Sequence, residues 1–170
     1  MKTNKIILDA CCGGRMFWFD HNNPNALYVD KRVMERQVIW RSKDGKQVRE
    51  FEVRPDVVAD FQQLLFEDNT FFHIVFDPPH LTKAGETSWL AKKYGFLTEN
   101  WREVLTNGFN ECWRVLKPYG TLIFKWNEEN VKVSEVLNLF KVSPPVRTPR
   151  WKMREDTLVS ICQDSRITPN

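Results

Sequence analysis
Four short β-rich runs in this chain each close on an aspartate, and no other feature limits the fold as much. They are Lys5-Ile6-Ile7-Leu8-Asp9, Ala26-Leu27-Tyr28-Val29-Asp30, Asp56-Val57-Val58-Ala59-Asp60 and Phe71-Phe72-His73-Ile74-Val75-Phe76 with Asp77 after it. Longer mixed runs separate them, which is the rhythm of an α/β fold around a parallel sheet. The fourth run is the most apolar, and an unbroken apolar stretch of that length suits a strand covered on both faces near the sheet centre. In open α/β sheets ligands bind at the carboxyl ends of the strands, so the residues just after each run are the first candidates for function.

The remaining segments complete the expected order. Arg15 to Asn25 carries Met16, Phe17, Trp18 and Phe19 and is expected to form a short helix stopped by Asn22-Asn23-Pro24. Gln37 to Arg41 and Gln47 to Val53 flank Ser42-Lys43-Asp44-Gly45-Lys46, and the Asp-Gly step predicts an inserted β-hairpin after strand two. Phe61 to Phe66 predicts a short helix. Leu81 to Phe96 lacks periodicity and reads as a long loop, a place where function often concentrates. Thr98-Glu99-Asn100 has N-cap character and opens a helix through Trp101, Leu105, Phe109, Cys112 and Leu116, which Lys117-Pro118-Tyr119-Gly120 ends. Thr121 to Trp126 is a fifth strand, Val133 to Phe140 a helix, and Val146 to Trp151 with Asp156 to Cys162 an antiparallel edge pair.

At 170 residues the chain has room for one domain, expected over residues 1–164 with a loose tail at 165–170. The apolar fraction of 42% and aromatic fraction of 13% exclude an intrinsically disordered chain. The N-terminal apolar run is too short for a signal peptide or a membrane span, so a cytoplasmic protein with no membrane partner is expected. Four cysteines without a C-x-x-C pattern and three histidines without ligand spacing predict no metal site. The net charge of +3 is a mild basic excess that suits a polyanionic partner without requiring one.

Asp9-Ala10-Cys11-Cys12-Gly13-Gly14 forms a tight turn after strand one, where missing side chains let a ligand approach the backbone. A Gly-Gly turn alone is equally an ordinary connection, but Asp30 lies 21 residues after Asp9, the spacing of an acid that binds ribose hydroxyls. Asp60 is then placed for an adenine amino group. These features, followed by Asp77-Pro78-Pro79-His80, stand in the order found in class I S-adenosylmethionine-dependent methyltransferases. Asp9 to Arg15 resembles the D-P-x-C-G-S-G loop of the amino-methyltransferases, Asp77 to His80 their [DNS]-P-P-[YFWH] motif, and Leu116 to Thr121 their L-K-P-x-G turn. Arg15 departs from the loop's last glycine, and His80 from the more usual aromatic.

The resemblance implies a Rossmann-like, mostly parallel sheet of seven strands with helices on both faces, an antiparallel edge strand and the hairpin insert. It implies S-adenosyl-L-methionine as cofactor, with S-adenosyl-L-homocysteine as product, held by Asp9, Ala10, Cys11, Cys12, Gly13, Gly14, Arg15, Met16, Asp30, Lys31, Arg32, Asp60, Phe61 and Asp77. Asp77, Pro78, Pro79 and His80 are the implied reaction centre, transferring methyl to an exocyclic amino group of a nucleic-acid base, adenine N6 in DNA ahead of RNA. An amide needs no different machinery, so a protein or small-molecule N-methyltransferase stays open, as does a non-catalytic subunit of the same fold. Arg15, Lys83, Trp89, Tyr94, Lys125 and Trp126 are expected at the substrate, since cations and aromatics together suit phosphate contact and base stacking. Nucleic acid is the expected partner, with a partner subunit or a homodimer open. The basic clusters Lys31-Arg32-Arg36 and Arg147-Arg150-Lys152-Arg154 are more often solvated surface than contact.

Overall fold
The computed structural model describes residues 1–81, 88–140, 146–147 and 156–162. In chain order these form β1 (Ile7–Asp9), β2 (Ala26–Asp30), β3 (Met34–Arg41), β4 (Val48–Val53), β5 (Val57–Val58), β6 (Phe71–Phe76), α1 (Trp89–Tyr94), α2 (Trp101–Val115), β7 (Leu116–Asn127), α3 (Val133–Phe140), β8 (Val146–Arg147) and β9 (Asp156–Cys162). The main sheet runs β5-β2-β1-β6-β7-β9-β8, and β3 and β4 make the separate hairpin. Both edges are thin: β5 and β8 have two residues each, and without β8 six strands remain. All pairings from β5 to β7 are parallel, whereas β9 runs antiparallel to β7 and to β8. The mixed α/β class, the mostly parallel sheet, the antiparallel edge strand and the hairpin are as the sequence predicts. Among the described residues, no helix is long and apolar enough to cross a membrane.

Alternation along β7 shows how the sheet is covered. Leu122, Phe124 and Trp126 are fully buried, while Thr121, Ile123 and Lys125 between them are only half-buried. The buried set joins Leu8, Ile74 and Phe76 under Leu105, Phe109, Cys112 and Trp113 of α2 and Val136 and Phe140 of α3. The ring of Phe109 stacks on that of Phe140 at 4.2 Å, which locks the two helices together. On the opposite face a smaller cluster of Cys12, Ala26 and Tyr28 is covered by Ile7 and Trp18. Among the described residues α2 and α3 therefore lie on one face, and irregular chain, not the expected helix, covers β1 and β2 on the other.

Two expected helices are absent for a common reason, which is that side chains take up the backbone groups a helix would use. In 15–25, Asn22 N–H donates to the Asp20 carboxylate and Asn25 N–H to the Asn23 side chain, each at 3.0 Å, while Arg15 donates to His21 C=O. Phe19 is fully exposed there. In 61–66, the Glu111 carboxylate accepts from Leu64 N–H at 2.8 Å, and Arg114 donates to the carbonyls of Leu64 and Phe66. The loop expected over 81–96 instead contains α1, opened by Ser88, whose hydroxyl accepts from Ala91 N–H at 3.1 Å. The expected strand at 56–60 narrows to β5, and β7 begins at Leu116, directly after α2.

Segment 61–66 packs on α2 through Phe61, whose ring lies where a side chain on Gly108 would go: a Cβ there meets Phe61 Cδ2 at 2.5 Å. Alanine in place of a solvent-facing helix glycine stabilises by about 0.5–1 kcal/mol, but overpacking costs about 1–3 kcal/mol. Gly108→Ala is therefore expected to lower unfolding stability by about 1 kcal/mol in urea titration. A gain in stability shows that Phe61 does not occupy this position.

Candidate functional site
The parallel register delivers the acids to one edge of the sheet. Asp9 pairs with Tyr28 on one side and Val75 on the other, so Asp9, Asp30 and Asp77 end neighbouring strands. After β1 the chain turns at once: Cys12 N–H donates to Val29 C=O at 2.8 Å, and Gly13 adopts φ 49° and donates its N–H to Asp30 Oδ2 at 2.9 Å. Only glycine takes that backbone angle without strain. Asp30, 4% exposed, also accepts from Arg32 through the backbone N–H, Nε and Nη2, at 2.9, 3.1 and 3.0 Å. Arg32 Nη1 in turn donates to the Lys92 carbonyl in α1 at 3.3 Å.

These elements enclose a pocket of about 360 Å³, within the range of small-molecule and cofactor sites. Ala10, Cys11, Asp30, Lys31 and Arg32 line it from the strand ends, Phe61 and Gln62 from the segment after β5, and Asp77 and Pro79 from the turn after β6. Ala91, Tyr94 and Leu97 line it from α1 and the chain beyond. A cavity of about 40 Å³ adjoins it, sharing Cys11, Arg32, Asp77 and Tyr94 and adding Asp9, Cys12, Gly13, Met16, Pro78 and His80.

The three acids are neutralised unequally. Asp30 holds the Arg32 guanidinium, and Asp77 accepts from Lys125 Nζ at 3.2 and 3.1 Å. Asp9, 2% exposed, has only neutral donors, Trp18 Nε1 at 2.7 Å and Cys11 N–H at 3.3 Å, among the described residues. Burial, helped by repulsion from Asp77 and Asp30, pushes its carboxyl up to about 7 against those two hydrogen bonds. Among the described residues Asp9 is thus the one of the three acids with no cation beside it. Burial also pushes the thiols of Cys11 and Cys12 well up, so neither is a nucleophile at neutral pH.

His80 is set between rings, its centroid 5.7 Å from Tyr94 and 6.4 Å from Trp126. Trp126 itself is fully buried and donates to Val131 C=O, so it supports His80 from the core and has no surface for substrate. Arg15 lines neither cavity. Its guanidinium donates to His21 C=O, Asn22, Arg54 C=O and Asp56 and lies 3.8 Å over the Tyr28 ring, which fastens the turn to the base of the hairpin. Arg15 also adopts φ 56°, in the left-handed region that favours glycine. Gly14 and Met16 turn toward the hairpin, where a Cβ on Gly14 would meet Phe51 Cε2 at 2.5 Å. Asp60 stands beside the large pocket, accepting from Gln62 N–H at 2.9 Å and paired with Lys31 at 3.5 Å. Lys83 lies outside the described residues, as do Arg150, Lys152 and Arg154 of the C-terminal basic cluster. Gln62 lines the pocket without a signal in the sequence, whereas Lys93, beside Trp89 and Tyr94 in the stretch whose cations and aromatics suit phosphate contact, lines the small cavity from α1, whose cap signals are Ser88 and Gly95.

No protein-family model matches the chain, and no curated protein matches it in sequence. Among solved structures, the PH0226 protein from Pyrococcus horikoshii OT3 superposes with TM-score 0.57 at 17% identity, over 93% of this chain and 81% of that one. A SAM-dependent methyltransferase of the DUF858 family from Leishmania major gives TM-score 0.49 at 15% identity, over 91% of this chain and 63% of its own. The antibiotic-resistance methyltransferase Kmr gives 0.45 at 14%, over 94% and 87%. At 17% identity the likeness to the Pyrococcus protein is one of fold.

Asp9 makes stability pH-dependent with a definite sign. Its carboxyl binds a proton more tightly folded than unfolded, so the stability it contributes is full below pH 3.8 and is lost as pH rises toward about 7. A shift of this size corresponds to roughly 4 kcal/mol at most. Asp9→Asn is expected to gain stability relative to the parent between pH 4 and pH 7.5, by chemical denaturation at each pH. A difference between the two chains that is the same at both pH values excludes a protonated Asp9.

Proposed function
We propose that this chain is an S-adenosyl-L-methionine-dependent methyltransferase acting on an exocyclic amino group of a nucleic-acid base, adenine N6 in DNA foremost, with RNA as the other candidate polymer. The observation that carries the proposal is the junction of the two cavities at Asp77, which lies at once on the ligand-sized pocket and beside Pro78 and His80. A reaction between a bound cofactor and an incoming amine needs such a shared wall.

The residues present fit the cofactor. Asp30 is a buried acid for a pair of ribose hydroxyls, and Phe61 and Gln62 supply an apolar wall and an amide for its base. Asp9, with no cation beside it among the described residues, is the acid for its ammonium group. When bound, the cofactor supplies an electrophilic methyl group on a sulfonium. The Asp30 oxygens are already engaged by Arg32, so hydroxyls there either share the carboxylate with the guanidinium or displace it.

The protein's own part is positioning and charge stabilisation. An exocyclic amine is a poor nucleophile because its lone pair is delocalised into the ring. The Asp77 carboxylate and the Pro78 carbonyl accept its two protons as hydrogen bonds, which favours a tetrahedral nitrogen and stabilises its developing positive charge. Pro78 and Pro79 have no N–H and fixed φ, so this turn presents acceptors from a rigid frame. Lys125 holds the Asp77 carboxylate from the sheet side. His80, buttressed by Tyr94 and Trp126, offers a flat face to an extruded base. The proton leaves the methylated ammonium for Asp77 or water.

Incubation with isotope-labelled S-adenosylmethionine and separate DNA, RNA and protein pools, followed by mass spectrometry of nucleosides, is expected to find label in N6-methyladenine. Label in protein alone sinks the proposal. Asp77→Ala is expected to cut transfer about 100-fold or more while calorimetry shows the cofactor still bound. Asp30→Ala is expected to weaken cofactor binding about tenfold or more. Near-normal turnover in Asp77→Ala moves the reaction centre elsewhere.

A further inference from the structure
The hairpin inserted after β2 concentrates the chain's positive charge. Residues 31–54 hold eight Lys and Arg against four Asp and Glu, a surplus of four, whereas the whole chain has a surplus of only three. The rest of the molecule is close to neutral. Between the hairpin and α1 lies an open groove of about 480 Å³ whose lining includes Met16, Arg36, Arg49, Phe51 and Lys93. Met16 and Lys93 also line the small cavity at Asp77 and His80, so the groove runs into the reaction centre.

The groove's lining sets Arg36, Arg49 and Lys93 beside Glu50, Glu52 and Phe51, and the rings of Trp40, Trp89 and Tyr94 flank it through the cations they touch. Arg49 is exposed and makes no ion pair among the described residues; its guanidinium lies 5.1 Å from the Trp40 ring and 5.5 Å from the Trp89 ring. The half-buried rings of Trp40, on the hairpin, and Trp89, on α1, thus meet across one cation. Lys93 lies 4.8 Å over the Tyr94 ring and donates to its hydroxyl, and Tyr94 touches His80. Of the Lys and Arg that line the groove, Arg36 is paired with Glu50, which leaves Arg49 and Lys93 without an ion pair among the described residues.

We infer that the hairpin groove binds the strand flanking the target base, as unpaired nucleic acid: phosphates on Arg49 and Lys93, and a neighbouring base on the indole faces of Trp89 and Trp40. The inference rests on the nucleic-acid reading above and specifies it. Indole faces beside cations are a stacking platform for unpaired bases, and a duplex keeps its base faces covered. The groove leads along Lys93 and Tyr94 to His80.

Fluorescence anisotropy of the full chain with labelled mixed-sequence 20-nucleotide single-stranded DNA, single-stranded RNA and duplex DNA tests this. Single strands are expected to bind at least fivefold tighter than duplex, with the DNA and RNA arms reporting which polymer is preferred. The Arg49→Ala/Lys93→Ala pair is expected to weaken binding about tenfold and to reduce the slope of log affinity against log salt by about 1.4, near 0.7 per lost phosphate contact. Trp89→Ala is expected to weaken binding at least fivefold with the salt slope unchanged, as loss of stacking predicts. Arg49→Ala is expected to keep its cofactor affinity, since Arg49 does not line the cofactor pocket. Unchanged strand affinity in folded variants, or equal affinity for duplex and single strands, overturns the groove assignment. Either result leaves the nucleoside analysis above free to succeed, so the two readings fail separately.

Discussion
A single side-chain register across four parallel strands governs everything else in this molecule. Leu8 pairs with Leu27 and Ile74, and Ile74 with Leu122, so one apolar row crosses β2, β1, β6 and β7. Because side chains alternate with period two, a slip of one residue in any strand would exchange its core and opposite faces. The helices α2 and α3 cover the row completely, which makes such a slip costly and pins the strand ends. Asp9, Asp30 and Asp77 then have no freedom to lie anywhere but side by side.

Placing three carboxylates together in a buried region is unfavourable unless each finds compensation. The chain uses a different one each time: a guanidinium and a backbone N–H for Asp30, an ammonium from the next strand for Asp77, and, among the described residues, neutral donors alone for Asp9. The graded result prepares the site for a ligand with hydroxyls and one positive charge. It also ties the periphery to the centre. Arg32 joins Asp30 to α1 through the Lys92 carbonyl, so the acid expected to take a ribose also helps set the wall of the pocket and one side of the hairpin groove.

Much of this was legible from local pattern. Asp44-Gly45 marked the hairpin, the spacing of Trp101, Leu105, Phe109 and Cys112 marked α2, and Asp-Pro-Pro-His after the most apolar strand marked the turn at Asp77. The two absent helices share a cause. Arg15 and Arg114 act over 41 and 50 residues of sequence, and Glu111 over 47, to hold irregular chain where apolar residues suggested helix. No window of sequence contains both partners. Trp126 reads as a substrate contact because the end of its strand lies next to the Asp-Pro-Pro-His turn in the expected sheet order, yet alternation along β7 puts it on the covered face.

The sequence by itself determined the α/β class, the order of the strands, the inserted hairpin and the aspartates at strand ends, because these follow from periodicity, turn chemistry and spacing within short stretches. Only the tertiary structure decided which aspartate receives a cation, that Arg15 braces the turn instead of facing a ligand, and that the hairpin closes with α1 around a charged groove. Those outcomes depend on which side chains meet across the folded chain, and burial and distance arise only when it has closed.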